Sequence, residues 1–445
     1  MVLGVQEGEP LTPQAMRSVF VQKAKEIKAF IEKEPPGGFR KSKTQKTPRA
    51  KPIKKGKITS LSDYKQENVV LVVEGSTLSV IFGTKDLEER FFQMGLQAKS
   101  VICCRVSPKQ KADVVALYKK KGDWITLSIG DGANDVSMIL EANIGVGIRG
   151  KEGTQAIRSA DYSISQFRFL LRLLLIHGRL GYIRVSKMIF SYFYKNIVLV
   201  FTEIPFEFFC GYSGQLFFLD WLPTLYNAVF TSWQVLFAFM YERDINEDYT
   251  FKFPLVYKIG QEGRLFTKSH FWYQILLACY QGLICFFLPL YGLGGAYPSP
   301  DNGRTYEHWY HSTISYALIL HLVTYKLFVD SSYWTLFSLL SGFLGIALFY
   351  LFAFLCAIPS IADLFHPQLA SLMTMLAQDC RYYYLQALVP IMCMIPNLSV
   401  NFVRQIFYPE IEHTIMHMQA VLGDSPKELK GKPAGLAKRL TNTSG

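Results

Sequence analysis

Several runs of about 20 apolar residues between Phe190 and Phe407 constrain the fold of this chain more than any other feature. A helix of about 20 residues spans the roughly 30 Å hydrocarbon core of a bilayer. Hydropathy predicts six spans, at residues 189–210, 221–240, 271–293, 313–329, 334–357 and 383–403. Residues 188–408 are therefore expected to form an all-α bundle of six transmembrane helices.

The basic residues predict which ends of these helices face the cytosol. The chain has 47 Lys and Arg against 35 Asp and Glu, a formal net charge of +12. Gln166–Met188, before the first span, and the connection Glu242–Lys268 hold several basic residues, whereas Gly294–Thr313 has only Arg304. The positive-inside rule therefore places both termini in the cytosol. A nucleic-acid partner is not expected, because no compact aromatic platform is interleaved with the basic residues.

Residues 1–66 are predicted to be one helix followed by a disordered linker. Gln14–Glu34 alternates apolar and charged residues at helical spacing. Arg40–Lys57 carries nine basic residues and no acid, so it cannot bury enough apolar surface to fold. Residues 409–445 are expected to form a cytosolic tail, disordered from Lys427 onward.

Residues 67–187 alternate short apolar runs with helical segments, which predicts a doubly wound α/β domain with one parallel sheet, followed by a basic stalk. The predicted strands are Val69–Val73, Ser100–Cys104, Trp124–Ile129, Ile144–Ile148 and Ala160–Ile164. The predicted helices are Asp86–Gln97, Pro108–Lys121 and one that begins with Val136–Glu141.

The stretch SIGDGANDVSM, Ser128–Met138, combines a strand end, a glycine turn and two carboxylates. Ligands of open α/β sheets bind at the carboxyl ends of the strands, and Asp131 and Asp135 carry the oxygen ligands that Mg²⁺ prefers. Asn134 adds a neutral amide. Lys111, one turn into the preceding helix, is expected at the neighbouring strand end, where its ammonium would neutralise a transferring phosphoryl group. The pattern predicts a metal-dependent phosphoryl-transfer site.

GDGAND resembles the fourth motif of the haloacid-dehalogenase superfamily. Together with CCRVSPKQK and IGVGIRGKEGTQAIRSADYSISQF, it resembles the phosphorylation domain of P4-type ATPases, the phospholipid flippases. The resemblance extends over roughly Val69–Gly423. It implies a partial haloacid-dehalogenase-like domain, ATP and Mg²⁺ as cofactors, phospholipid as substrate and a two-span glycosylated accessory subunit as partner. The residues that it places at nucleotide or phosphate are Arg105, Lys111, Asn134 and Asp135, and those at Mg²⁺ are Asp131 and Asp135.

The first predicted span contains the polar residues Lys195, Asn196, Glu203 and Glu207. At about 100° per residue, all four share one face of a helix. An ionisable group at membrane depth costs at least about 2.5 kcal/mol unless it is paired or hydrated, so this face should point into the bundle or a watery groove. Pro205 allows a bend there. Snorkelling of Lys195 and Glu207 to opposite interfaces is the alternative, but it leaves the other two residues unexplained.

The string FYKN also resembles the fifth transmembrane helix of flippases, which implies that Lys195 and Asn196 act on the lipid headgroup, with Glu203 on the same face. Tyr226–Met240 in the second span has no Asp or Glu, which favours a zwitterionic or anionic headgroup over Ca²⁺ or Na⁺. Glu203 and Glu207 leave a cation transporter as an alternative.

The 445 residues contain neither the DKTGT segment on which P-type ATPases form an aspartyl phosphate nor a TGD segment. The chain is therefore expected to be the C-terminal part of a flippase that moves phospholipid to the cytosolic leaflet, and to be inactive alone. A non-catalytic membrane regulator or a degenerate fragment is the second hypothesis. A soluble-type phosphatase with an anchor is disfavoured, because it also needs a nucleophilic aspartate and has no use for six spans.

Overall fold

The computed structural model describes residues 2–3, 70–122, 124–150, 153–293, 308–358, 360–361 and 369–422. The predicted helix Gln14–Glu34, the basic linker Arg40–Lys57 and the tail from Lys427 lie outside these residues. The chain divides into two compact units, Met1–Leu170 and Leu171–Gly445. The first contains parallel strands and helices, and the second is helical.

Short parallel strands alternate with helices in the first unit, as predicted. Its strands are β1 (Val2–Leu3), β2 (Val70–Glu74), β3 (Ser100–Cys104), β4 (Leu127–Gly130), β5 (Ile144–Ile148) and β6 (Tyr162–Ile164). Its helices are α1 (Gly75–Phe82), α2 (Lys85–Gln97), α3 (Pro108–Lys121), α4 (Val136–Glu141) and α5 (Gln155–Ser159). Every strand pair is parallel. Among the described residues the strands form two three-stranded sheets, β1–β2–β3 and β4–β5–β6, and not the single sheet expected from the alternation.

The predicted strand Trp124–Ile129 shows why the sheet is interrupted. Trp124 and Ile125 are 50% and 79% exposed, and the strand begins only at Leu127. A strand needs a hydrogen-bonded neighbour. β5 pairs with β4 only from Leu127, opposite Ile144, to Gly130, opposite Gly147. The apolar run predicts a central strand, but within the described range β4 is an edge strand, with β5 as its one neighbour.

The core of the first unit lies between β2, α1 and α2. Leu71, Val73, Leu78 and Phe91 are almost completely buried there, and each such side chain contributes about 1.5–3 kcal/mol relative to its exposed state. The apolar composition of Ser100–Cys104 indicates a buried strand, but the strand is exposed at alternate positions, with Ile102 49% exposed.

A hydrogen-bonded contact joins the start of α3 to α1. The Gln110 side chain donates from Nε2 to the Gly75 carbonyl at 2.7 Å and to Ser79 Oγ at 2.9 Å. The same Gln110 forms a capping box with Ser107 at the first turn of α3. A Cβ atom at Gly75 would lie 2.4 Å from the Arg105 carbonyl oxygen, so only glycine permits this close approach.

The second unit is a helical bundle. Its helices are α6 (Arg179–Phe209), α7 (Trp221–Leu225), α8 (Ser232–Met240), α9 (Glu247–Lys252), α10 (Lys258–Gln261), α11 (Lys268–Gly292), α12 (His308–Asp330), α13 (Leu336–Cys356), α14 (Leu369–Gln378), α15 (Cys380–Phe407) and α16 (Ile411–Leu422). A π-helical segment, Leu173–Gly178, leads directly into α6, and a second one, Tyr226–Phe230, separates α7 from α8.

Four of the described helices, α11, α12, α13 and α15, are long and apolar enough to cross a membrane. Helix α12 is buried along most of its length, so it occupies the centre of the bundle. The first predicted span lies within α6. The second, residues 221–240, differs from the expectation of one continuous helix, because the π segment interrupts it. The total of six spans stays a prediction.

Two glycines let the long helices approach closely, a device common in membrane bundles. A Cβ at Gly282 of α11 would lie 2.9 Å from the Val198 carbonyl oxygen of α6. A Cβ at Gly345 of α13 would lie 2.2 Å from the carbonyl oxygen of Phe230. Helix α11 is therefore in direct contact with α6, and α13 with the π segment.

We expect Gly75→Ala to lower the stability of the first unit by about 1–3 kcal/mol, because the added methyl group overlaps the Arg105 carbonyl. Gly83→Ala is a matched control, since a Cβ there meets nothing closer than 3.5 Å. Pulse proteolysis of the full chain in detergent, across a urea series, measures the unfolding midpoint of each variant. Equal midpoints for the two variants would contradict the close approach at Gly75.

Burial raises the pKa of the Cys103 thiol, and the neighbouring Cys104 raises it further. The thiolate is the reactive form, so Cys103 should react with iodoacetamide more slowly than the exposed Cys104 at pH 8, and its rate should keep rising to higher pH. Because burial is the larger cause, Cys103 should still react slowly in the variant Cys104→Ala. Tandem mass spectrometry that locates the label on Cys103 or on Cys104 within their shared peptide provides the measurement, and equal rates of the two thiols at pH 8 would refute the expectation.

Candidate functional site

The loop after β4 is shaped by its glycines. Gly130 ends the strand, and a Cβ there would lie 2.2 Å from the Asp135 Cβ, so the side chain of Asp135 folds back over the strand end. Ala133–Asp135 form one turn of 3₁₀ helix, closed by the Asp135 amide donating to the Gly132 carbonyl at 3.2 Å. Helix α4 follows without a break. The loop therefore places Asp135 at the carboxyl end of the strand, where the sequence predicted it.

Lys111 and Asp135 form an ion pair, with 2.7 Å between Nζ and Oδ1. Their side chains are 29% and 15% exposed, so the pair is partly shielded from water. The other carboxylate oxygen of Asp135 accepts from the Asp131 amide at 3.3 Å. In addition, Ser137 Oγ donates to the Pro108 carbonyl at 2.8 Å, which attaches the start of α4 to the start of α3. The two predicted phosphoryl-site residues are thus in direct contact.

Asp131 and Asn134 are exposed, and their side chains form no hydrogen bond or ion pair with any residue that the structure describes. Arg105 lies apart from this cluster. Its backbone has a left-handed φ of 53°, and its guanidinium, 87% exposed, lies 3.6 Å from the Glu74 carboxylate. The structure brings Lys111 and Asp135 together but does not bring Arg105 into contact with them.

The donor set of this loop suits part of a magnesium site. Mg²⁺ is commonly held by one or two carboxylates together with water and substrate phosphate oxygens. Asp131 and Asp135 supply two carboxylates, and Asn134 supplies an amide oxygen. No group of three or more His, Cys, Asp or Glu side chains suited to a metal occurs among the described residues. The loop can therefore hold Mg²⁺ only when other oxygen ligands complete the shell.

The second candidate site surrounds Lys195 in the middle of α6. Lys195 is fully buried, and its ammonium donates to Asn227 Oδ1 and to Thr231 Oγ1, each at 2.8 Å. The rings of Tyr192 and Tyr226 lie 4.9 and 5.4 Å from Nζ, within cation–π range. Both hydrogen-bond acceptors are neutral, and within the described part of the chain no carboxylate forms an ion pair with this lysine.

The π segment Tyr226–Phe230 creates the acceptors for Lys195. Thr231 donates its amide at 3.1 Å and its hydroxyl at 2.5 Å to the Tyr226 carbonyl, so one oxygen accepts both bonds. The Tyr226 hydroxyl in turn donates to the Lys195 carbonyl at 2.9 Å. Such π segments often occur at functional sites. The sequence analysis does not predict Asn227 and Thr231 as site residues, because each offers only the weak signal of an uncharged polar residue within an apolar run.

The other residues of the predicted polar face are arranged differently. Asn196, Glu203 and Glu207 are only half-buried. Glu207 accepts a weak bond from the Cys210 thiol at 3.7 Å, and the side chains of Asn196 and Glu203 form no hydrogen bond or ion pair with the described residues. Thus the structure encloses Lys195 among helices but does not gather all four residues into one site.

The family described as phospholipid-translocating P-type ATPase C-terminal matches residues 157–410. The human Phospholipid-transporting ATPase ID is 35% identical over 373 residues, which covers 83% of this chain and 30% of that protein. The human Phospholipid-transporting ATPase IC is 38% identical over 333 residues, covering 72% of this chain and 26% of that protein. The mouse Phospholipid-transporting ATPase 11C is 39% identical over 272 residues, which covers 60% of this chain and 24% of that protein.

The chain thus spans about a third or less of the length of these relatives. The matched family region contains α6 to α15, including all four helices suited to crossing a membrane. The four apolar helices and the family match identify a membrane protein. The chain belongs to the phospholipid-translocating P-type ATPases and corresponds to their C-terminal part.

Proposed function

We propose that this chain is the C-terminal part of an ATP-driven, Mg²⁺-dependent flippase that moves phospholipid to the cytosolic leaflet. The observation that carries the proposal is the buried ammonium of Lys195. Because its acceptors, Asn227 and Thr231, are neutral, the ammonium keeps an uncompensated positive charge that a lipid phosphate or carboxylate can approach. Asn196, next in sequence, and Glu203, two turns further along α6, would contact the same headgroup.

A cation transporter is disfavoured by the same arrangement. Ca²⁺ and Na⁺ need several oxygen ligands, commonly carboxylates, whereas a lysine ammonium at the site repels a cation. The stretch Tyr226–Met240 contains no Asp or Glu. A non-catalytic regulator is not favoured either, because the relatives carry the names of phospholipid-transporting ATPases.

In this proposal the loop after β4 belongs to a haloacid-dehalogenase-like phosphorylation domain. Asp131 and Asp135 would hold Mg²⁺, which neutralises charge on a phosphoryl group when it is bound. Lys111, now paired with Asp135, would turn its ammonium to a phosphoryl oxygen, and Asn134 and Arg105 would contact nucleotide. The aspartate that receives the phosphoryl group would come from outside these 445 residues, which contain no DKTGT segment.

The chain would cross the membrane six times, with α6 and the interrupted segment α7–α8 as the first two spans. The phosphorylation domain and both termini would lie in the cytosol, because the basic residues are concentrated on that side. A small glycosylated subunit with two spans would accompany the transporter.

Lys195→Ala tests the headgroup site. A chimera in which residues 70–422 replace the aligned region of the human Phospholipid-transporting ATPase ID would supply the missing catalytic segments. We expect Lys195→Ala to reduce phospholipid-stimulated dephosphorylation about tenfold or more, since hydrogen bonds to charged groups contribute about 1.5–3 kcal/mol, while phosphoenzyme still forms. Decay of ³²P-labelled phosphoenzyme with and without lipid measures the effect.

The exposed Lys268 at the start of α11 offers the control, and Lys268→Ala should behave as the parent chimera. Loss of phosphoenzyme formation in Lys195→Ala, or unchanged lipid stimulation, would contradict a role in headgroup binding. A folded parent chimera whose dephosphorylation does not respond to phospholipid would overturn the proposed function itself.

The Lys111–Asp135 ion pair generates a prediction for metal binding by the chain alone. Because the Lys111 ammonium repels a divalent cation from the Asp135 carboxylate, Lys111→Met should tighten Mn²⁺ binding roughly fivefold, whereas Asp135→Asn should weaken it. Lys109→Met, at an exposed position two residues away, is the matched control. The electron paramagnetic resonance signal of free Mn²⁺ reports the affinity. Equal affinities for Lys111→Met and Lys109→Met would refute the prediction.

A further inference from the structure

The basic residues before and at the start of α6 pair with acids of one short segment, Tyr241–Asp248, which directly follows α8. Arg179 is 2% exposed, and its guanidinium donates to both carboxylate oxygens of Asp244, at 2.8 and 2.5 Å. Its Nε donates to the Val256 carbonyl at 3.3 Å. This is a bidentate ion pair, the strongest geometry available to arginine and a carboxylate.

Glu242 is the second acid of this segment and joins three elements. It is fully buried, and its carboxylate accepts from Lys187 Nζ of α6 at 2.6 Å. It also accepts from Ser331 Oγ at 2.8 Å and from the Ser332 amide at 3.0 Å, in the turn between α12 and α13. Arg184 Nε donates to the backbone carbonyl of the same Glu242 at 2.8 Å. One carboxylate therefore attaches the end of α8 to α6 and to that turn.

Helix α6 and the stretch that contains α8 are also joined farther along α6, where Lys195 donates to Asn227 and Thr231. Along α6 the two attachments, Lys187 and Lys195, are about two helical turns apart. Along the other part, Thr231 and Glu242 are about three turns apart. Because the Lys187–Glu242 and Lys195–Thr231 contacts lie at different heights, together they oppose sliding and rotation of α8 against α6.

We propose that Glu242 and Asp244 are positioning residues: they make α8 follow any displacement of α6, which keeps Asn227 and Thr231 in register with Lys195. This inference rests on the proposed flippase function, because the register matters only if Lys195 handles the transported lipid. Neither acid is placed in contact with lipid or phosphate. Their effect on transport is exerted through the helix that carries the acceptors of the lysine.

A third ion pair of the same segment supplies a matched control. The Arg172 guanidinium lies 2.8 Å from the Glu247 carboxylate, but the two side chains are 51% and 38% exposed. Exposed pairs contribute little, whereas removing one member of a buried pair leaves the other charge uncompensated. Glu242→Gln should therefore have a large effect and Glu247→Gln almost none, although both remove one negative charge from the same segment.

In the chimera with the human relative, Glu242→Gln is expected to form phosphoenzyme at the parent level. It should need about two- to thirtyfold more phospholipid for half-maximal dephosphorylation, the range expected when coupling between distant residues is altered. Glu247→Gln should match the parent. A purely structural role would reduce the amount of folded chimera but leave the lipid dependence per phosphoenzyme unchanged, and that result would overturn the positioning role.

Hydrogen exchange of this chain in detergent tests the link without any transport. Glu242→Gln and Lys187→Met should each accelerate amide exchange in the π segment Tyr226–Phe230, and Glu247→Gln should not. Acceleration confined to residues near 242 would overturn the inference. This measurement also separates the two proposals: a parent chimera without lipid-stimulated dephosphorylation removes the proposed function, while the exchange data still decide whether Glu242 holds α8 against α6.

Discussion

Hydrocarbon offers the ammonium of Lys195 no hydrogen-bond partner, so the helices around this residue must provide one. The partners come from the junction of the π segment and α8, and the interruption of the helix is what makes them available. Asn227 lies in the π segment and Thr231 directly follows it, and the Tyr226 carbonyl holds Thr231 by accepting both its amide and its hydroxyl. The broken second span and the solvation of the lysine are therefore one feature. Gly345 then allows α13 to pack against the same segment.

The pairing of Lys111 with Asp135 depends on a different constraint. The sequence placed these residues together on the expectation that their strands belong to one sheet, but β3 and β4 lie in separate sheets. The contact forms because α3 and α4 pack against each other, with Ser137 bonded to the Pro108 carbonyl. The capping box of Ser107 and Gln110 fixes where α3 begins, so Lys111 falls within reach of the loop. Local capping and helix packing were sufficient to bring the charges together.

Predictions from sequence succeeded where a local pattern determines the structure. The strands Ser100–Cys104 and Ile144–Ile148 and the helix Pro108–Lys121 have the bounds that apolar runs, proline and glycine indicated. They failed where the outcome depends on residues distant in sequence. Whether Trp124 and Ile125 extend a strand depends on a neighbouring strand and not on their own β-propensity. The left-handed backbone of Arg105 and its proximity to Glu74 are likewise tertiary features that its motif does not indicate, and its role at nucleotide stays a prediction.

The basic residues near the start of α6 illustrate how one sequence pattern supports two interpretations. Taken alone, they are typical of positive-inside bias, which requires no individual partner. Burial removes that freedom for Arg179, because its guanidinium is shielded from water and pairs with Asp244. The acidic partners of these basic residues lie in the segment Tyr241–Asp248, where Asp244 contacts Arg179 and Glu242 contacts Lys187. A count of basic residues therefore cannot tell a paired, buried position from a solvated one, because the difference arises only when the connecting segment folds against α6.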